Sequence, residues 1–163
     1  MAVRRVSFTG VWPIVATPFR AADESLDLAA FAKSIRFFAD AGCNGATITG
    51  VLGESNRLTD AEREALIHTA ITAAAEAAGS DRPMPICVGT SHAGTAATVA
   101  LSQMAQNLGA AAVMVTPTKE PAPATAASLH TLFARVAEGC GPDFPIVLQD
   151  HPASTQARAA VAA

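Results

Sequence analysis

Gly50-Val51-Leu52-Gly53-Glu54-Ser55 is the stretch whose residue types and spacing come nearest to chemistry. Two glycines three residues apart let the backbone take positive φ and approach a ligand with no Cβ in the way. The apolar run Ala46-Thr47-Ile48-Thr49 precedes this turn and a helix-start signal follows it. Its N–H groups are therefore expected at the carboxyl end of a strand, where α/β proteins bind small anions. The chemistry implied is capture of a small anion by backbone donors. A Gly-x-x-Gly-Glu string is short enough to arise by chance as a mere turn, so the surrounding elements decide its meaning.

Those elements form a repeating βα pattern. Thr59-Asp60-Ala61-Glu62 is a capping box, in which the Thr59 hydroxyl and the Glu62 carboxylate each satisfy an orphan helix donor, and it opens a helix running to about Ala78. Before the turn, residues 11–17 read as a strand broken by Pro13, and residues 27–41 as a helix with Leu28, Phe31, Ile35 and Phe38 at helical spacing. After it come a strand over 84–89, a helix over 95–108, a strand over 111–116, a helix over 125–138 and a strand over 144–149. The strands recur at roughly 30 to 40 residues, the length of one βα unit. They are nearly continuous apolar runs, as in a parallel sheet buried on both faces. No Gly-x-Gly-x-x-Gly follows the first strand and no Gly-x-x-x-x-Gly-Lys-Ser/Thr occurs, which excludes the common nucleotide-phosphate motifs and favours a barrel over a doubly wound sheet.

At this point the residues resemble the dihydrodipicolinate synthase and N-acetylneuraminate lyase family of Schiff-base aldolases. The matches are Gly10-Val-Trp-Pro-Ile-Val-Ala-Thr-Pro-Phe19 on the first strand, Gly50-x-x-Gly-Glu54, Leu58-Thr-x-x-Glu62-Arg63 at the second helix, and Val88-Gly89-Thr90 on the third strand. Gly109-Ala110 with Val115-Thr116-Pro117, and Pro145-Ile-Val-Leu148 with Pro152, match the fourth and fifth strands. The resemblance implies an α/β fold of the (β/α)8 TIM-barrel type. It also implies a lyase acting on pyruvate or a related 2-oxo acid, with Gly50, Val51, Leu52, Gly53 and Glu54 as the carboxylate loop. Such a barrel takes about 250 residues, so this chain of 163 residues is expected to hold about five βα units of an incomplete barrel, over residues 1–152. The Ala-rich stretch 153–163 is expected to be a disordered tail or a short helix.

In the family the Schiff-base lysine lies on the sixth strand, which on this resemblance falls beyond Ala163. The two lysines present are Lys33, expected on a solvated helix face, and Lys119, a loop residue after the fourth strand that could meet an anionic substrate. Val51 and Leu52 stand where the family usually has two hydroxyl residues, so the carboxylate would be held by backbone N–H groups alone. The chain contains no tyrosine, and Gln149-Asp150-His151-Pro152 replaces the segment that usually supplies the proton-relay phenol. Gln149 and His151 are two apart and share a side of an extended segment, which makes His151 a candidate proton shuttle. Thr17 resembles the threonine of the family's first strand, although threonine in a strand is often a propensity choice. His92 is expected as a helix-start loop residue, and His68 and His130 as structural helix residues. Two functions are thus open: a Schiff-base lyase in complete form, or a catalytically inactive half-barrel that binds small carboxylates or only assembles.

Composition narrows the partners. Charged residues are 15% of the chain and the net charge is −3, which leaves no basic stripe for nucleic acid. Cys43, Cys87 and Cys140 are odd in number and scattered, so neither a disulfide framework nor a zinc site is indicated, and a reducing compartment fits. No run approaches the roughly 20 apolar residues of a membrane span. The expectations are a cytoplasmic location, a small-molecule 2-oxo acid as ligand, no metal or cofactor, and a possible homo-oligomer.

Overall fold

The computed structural model describes residues 6–77, 83–117 and 125–151. Four strands, β1 (Ala46–Ile48), β2 (Ile86–Gly89), β3 (Ala112–Val115) and β4 (Ile146–Leu148), form one parallel sheet in the order β1-β2-β3-β4. Four helices accompany them: α1 (Leu28–Asp40), α2 (Asp60–Ala77), α3 (Thr95–Asn107) and α4 (Ala126–Cys140). Each helix carries the chain to the next strand, and spatial order follows sequence order without reversal. A doubly wound sheet reverses at a switch point. A sheet that only advances is the wall of a barrel, here four strands of it.

Local chemistry accounts for the helix starts. The Asp27 carboxylate accepts the Ala30 N–H at 2.9 Å and caps α1. Glu62 accepts from both the Thr59 N–H and the Thr59 hydroxyl at 2.8 Å, while the Thr59 oxygen accepts the Glu62 N–H at 3.3 Å, the reciprocal cap expected for α2. A second reciprocal pair, Thr125 with Ser128, opens α4. These starts agree with the sequence expectations to within a residue.

Packing follows the alternation of side chains along each strand. Ile48, Val88, Val113 and Val115 enter the main core with Phe31, Ile35, Leu66, Ile67 and Leu132. On the other face Cys87, Ala112 and Met114 form a separate buried cluster, against which Trp12 and Val147 pack. β1, β2 and β3 are buried at every position, whereas β4 is partly exposed, Leu148 to 44%.

The strand expected over residues 11–17 is reduced to one parallel bridge, Ile14 to Thr47. The segment still runs beside β1: Val15 donates to the Thr47 carbonyl and Thr47 to the Pro13 carbonyl, both at 2.8 Å. Pro13 has no N–H to extend the ladder, and Gly10 takes φ +76° just upstream. The tail over 153–163 lies outside the described residues.

Candidate functional site

The turn after β1 is built by close backbone contact. Thr49 takes φ +50°, a conformation that strains a β-branched residue by about 1–3 kcal/mol. It is 3% exposed, and its Oγ1 donates to the Gly89 carbonyl at 2.9 Å. A Cβ on Gly89 would lie 2.4 Å from the Thr49 carbonyl oxygen and 3.0 Å from Gly50 Cα. The chain can therefore leave β1 in this direction only because β2 carries no side chain there.

Within the turn, Gly53 N–H donates to the Gly50 carbonyl at 3.0 Å, Glu54 N–H to the Val51 carbonyl at 3.2 Å, and Ser55 N–H to the Gly50 carbonyl at 3.5 Å. Those three donors are occupied in shaping the loop. Among the described residues no backbone carbonyl takes the N–H groups of Gly50, Val51 and Leu52, so the expected anion donors narrow to these three. Both side chains are exposed, Leu52 to 66%. Thr17, itself buried, donates its hydroxyl to the Gly53 carbonyl at 2.7 Å. The first-strand threonine is thus a clamp on the loop.

Glu54 adopts φ 55°, ψ 35° and pairs with Arg57 at 3.1 Å across a short 3-10 turn, Ser55–Arg57. Behind that turn lies a residue whose part in the loop was not expected. Arg63 is 6% exposed and donates through Nη2 to the Ser55 carbonyl. Its Nε is 3.8 Å from an Asp60 carboxylate oxygen, and Nε and Nη1 have no hydrogen-bond partner. Burial lowers the guanidinium pKa and Asp60 opposes the shift. Arg63, Thr49, Gly89 and Met104 line a crevice between α2 and α3 with no room for a water molecule. Arg63 is therefore a brace for the loop. Its burial had a legible signal: Arg63, Leu66, Ile67, Ala70, Ala73 and Ala74 follow one helical stripe.

Beside the turn, the ends of β2 and β3 carry hydroxyls. The Thr116 N–H and Oγ1 donate to Ser91 Oγ at 2.9 and 3.0 Å. Thr90 Oγ1 and Ser102 Oγ lie 2.9 Å apart and are buried. His92 is exposed and accepts the Gly94 N–H on Nδ1 at 3.2 Å, the helix-start role expected of it. Cys87 is buried, and burial pushes its thiol up to about 12 against a weaker opposing hydrogen bond from Thr47.

The other candidates are dispersed. His151 is exposed, three residues beyond β4; Gln149, two residues before it, is half-buried with an unpartnered Oε1. Lys33 is exposed on α1, as expected, as are His68 on α2 and His130 on α4. Lys119 lies outside the described residues. Among the described residues no group of three or more His, Cys, Asp or Glu could hold a metal ion, and no helix is long and apolar enough to cross a membrane.

Comparison with known proteins places this geometry. The model of the dihydrodipicolinate synthetase family matches residues 7–162. An L-2-keto-3-deoxyarabonate dehydratase of Azospirillum brasilense is 37% identical over 153 residues, covering 93% of this chain and 47% of that protein. A 4-hydroxy-tetrahydrodipicolinate synthase of Xanthomonas axonopodis pv. citri is 35% identical over 152 residues, covering 92% and 46%. The crystal structure of dihydrodipicolinate synthase from Rhodopseudomonas palustris superposes with a TM-score of 0.77 at 34% identity, covering 91% of this chain and 46% of that one. A prophage protein of the same family from E. coli K12, solved in complex with pyruvate, gives 0.82 at 32% identity, covering 93% and 47%. The chain spans about half the length of the relatives it matches.

Proposed function

The chain belongs to the dihydrodipicolinate synthetase family, and on that premise we propose that it forms the carboxylate-binding half of a Schiff-base lyase acting on pyruvate or a related 2-oxo acid. The observation that carries this reading is the Gly50–Ser55 loop at the carboxyl end of β1, clamped through Gly53 by Thr17. It leaves the Gly50, Val51 and Leu52 N–H groups without a backbone acceptor. Donors fixed before the ligand arrives need no reorganisation when they bind charge. Because Val51 and Leu52 bring no hydroxyl, selectivity rests on backbone geometry and on the apolar surface beside it.

The covalent nucleophile in this reading lies outside these 163 residues. Lys33 is exposed to solvent on α1, whereas a Schiff-base amine works in a desolvated pocket. His151 is the proton shuttle of the proposal, and Thr17 acts through the loop it holds. No metal or cofactor is invoked, since the protonated imine itself withdraws electrons from the adjacent carbon. A cytoplasmic location and assembly of several copies belong to the same proposal.

Borohydride reduction in the presence of pyruvate tests it. A longer polypeptide that continues past Ala163 should acquire a stable adduct, and the 163-residue polypeptide should not. An adduct on the shorter polypeptide would put the nucleophile within it and overturn the assignment.

A further inference from the structure

We propose that the Ser91 hydroxyl is a directed donor to an oxygen of the bound 2-oxo acid, supplying from the end of β2 the hydroxyl that Val51 and Leu52 do not bring. The inference rests on the function proposed above and adds a ligand-binding residue to it.

The direction of the donor follows from counting lone pairs. A serine oxygen has two lone pairs and one proton. Thr116 fills both lone pairs of Ser91 Oγ, with its N–H at 2.9 Å and its Oγ1 at 3.0 Å. Ser91 Oγ can then only donate, in the one tetrahedral direction left. No described acceptor takes that proton. Because Thr116 is 8% exposed and its N–H belongs to the backbone beyond β3, the donor is held by a rigid partner. Ser91 itself is half-buried and so remains within reach of a ligand.

Position follows from register. Gly89 on β2 pairs with Met114 on β3, and Ser91 and Thr116 stand two residues further along each strand direction. Gly89 packs against Thr49 and Gly50 Cα, and the Met114 methyl is the atom nearest to where a Gly50 Cβ would stand, at 3.3 Å. The Ser91–Thr116 pair therefore sits one layer above the contact on which the Gly50 turn rests, at the same end of the sheet. A carboxylate held by the Gly50, Val51 and Leu52 N–H groups would meet a further donor there.

Calorimetric titration of the full-length protein with pyruvate tests the assignment. Ser91→Ala should weaken binding about tenfold or more, the usual effect of losing one hydrogen bond to a charged group, with the melting temperature measured alongside. Ser91→Thr keeps the hydroxyl and should stay within about threefold of the parent, whereas Ser91→Val, isosteric with that threonine variant, should fall with the alanine variant. Should Ser91→Ala fail to fold, the threonine and valine pair decides at constant shape. Alanine or valine variants that bind pyruvate as the parent does would overturn the role of Ser91 and leave the Proposed function standing. A parent that binds no pyruvate overturns both.

Discussion

Thr17 and Cys87 show how far a single residue can be read without its neighbours. In sequence, Thr17 looked like either a motif residue or a propensity choice, and only the fold reveals the 2.7 Å bond to Gly53. Replacing it with the isosteric valine leaves the buried Gly53 carbonyl without this donor, which costs about 1–3 kcal/mol. Urea unfolding should report that loss, and a change under about 0.5 kcal/mol would show the carbonyl to be satisfied by another group. Cys87 falls within the expected strand over 84–89, and the structure adds its burial and with it a pH effect. Its folded pKa of about 12 exceeds the ordinary value of 9.0, so the folded state holds the proton more tightly. Its contribution is complete below pH 9 and is lost as pH rises towards the folded value, at up to about 1.4 kcal/mol per pH unit. Cys87→Ala should flatten the fall in urea midpoint between pH 9 and 10.5; an unchanged slope would assign the alkaline sensitivity elsewhere.

Helices were more legible than strands because their signals are local. Capping residues mark a start within four positions: the Thr59 box is found at the helix opening it announced, and Asp27 and Thr125, where the expected ranges begin, cap theirs. Thr59→Ala removes the two bonds made by the hydroxyl, leaves the backbone N–H bond to Glu62 in place, and should lower stability by about 1 kcal/mol. It should also blunt the acid limb in part, because the hydroxyl's share is lost and the backbone share stays. The Glu62 carboxylate is held below its ordinary pKa first by the Thr59 N–H and then by the Thr59 hydroxyl. That contribution is present above the unfolded value of 4.5 and fades as pH falls through the folded one. Urea midpoints at pH 7 and pH 3.5 that differ as much in the variant as in the parent would contradict this. The strand over 11–17, already read as broken by Pro13, is reduced further, to the single bridge at Ile14. The positive φ of Thr49 left no trace in composition, since it is made possible by Gly89 some forty residues away. Strain set by a distant partner is invisible to any window of sequence. Arg63 lay between these extremes, with its burial written in the stripe and its bond to Ser55 written only in the fold.

At the scale of the molecule, the advancing order β1-β2-β3-β4 leaves the sheet with two unlike margins. The leading segment, bridged to β1 at Ile14, covers one margin. Among the described residues β4 forms the other, and in the barrel of its relatives it would have a further neighbour. Its three residues are only partly buried, with Leu148 44% exposed. Parallel strands are ordinarily covered on both faces, and an apolar edge is a template for pairing with another chain. The 163-residue polypeptide on its own should therefore self-associate through β4. Leu148→Lys places a charge on that edge, one of the devices by which natural sheets blunt theirs. It removes no fully buried contact, so the urea midpoint should move by less than about 0.5 kcal/mol, as for most surface substitutions. Sedimentation velocity of the two polypeptides at matched concentration gives the comparison: the lysine variant should shift towards monomer. Equal association in both would mean that contact is made elsewhere, with the exposed Phe37 on α1, at 65% exposure, the next surface to alter.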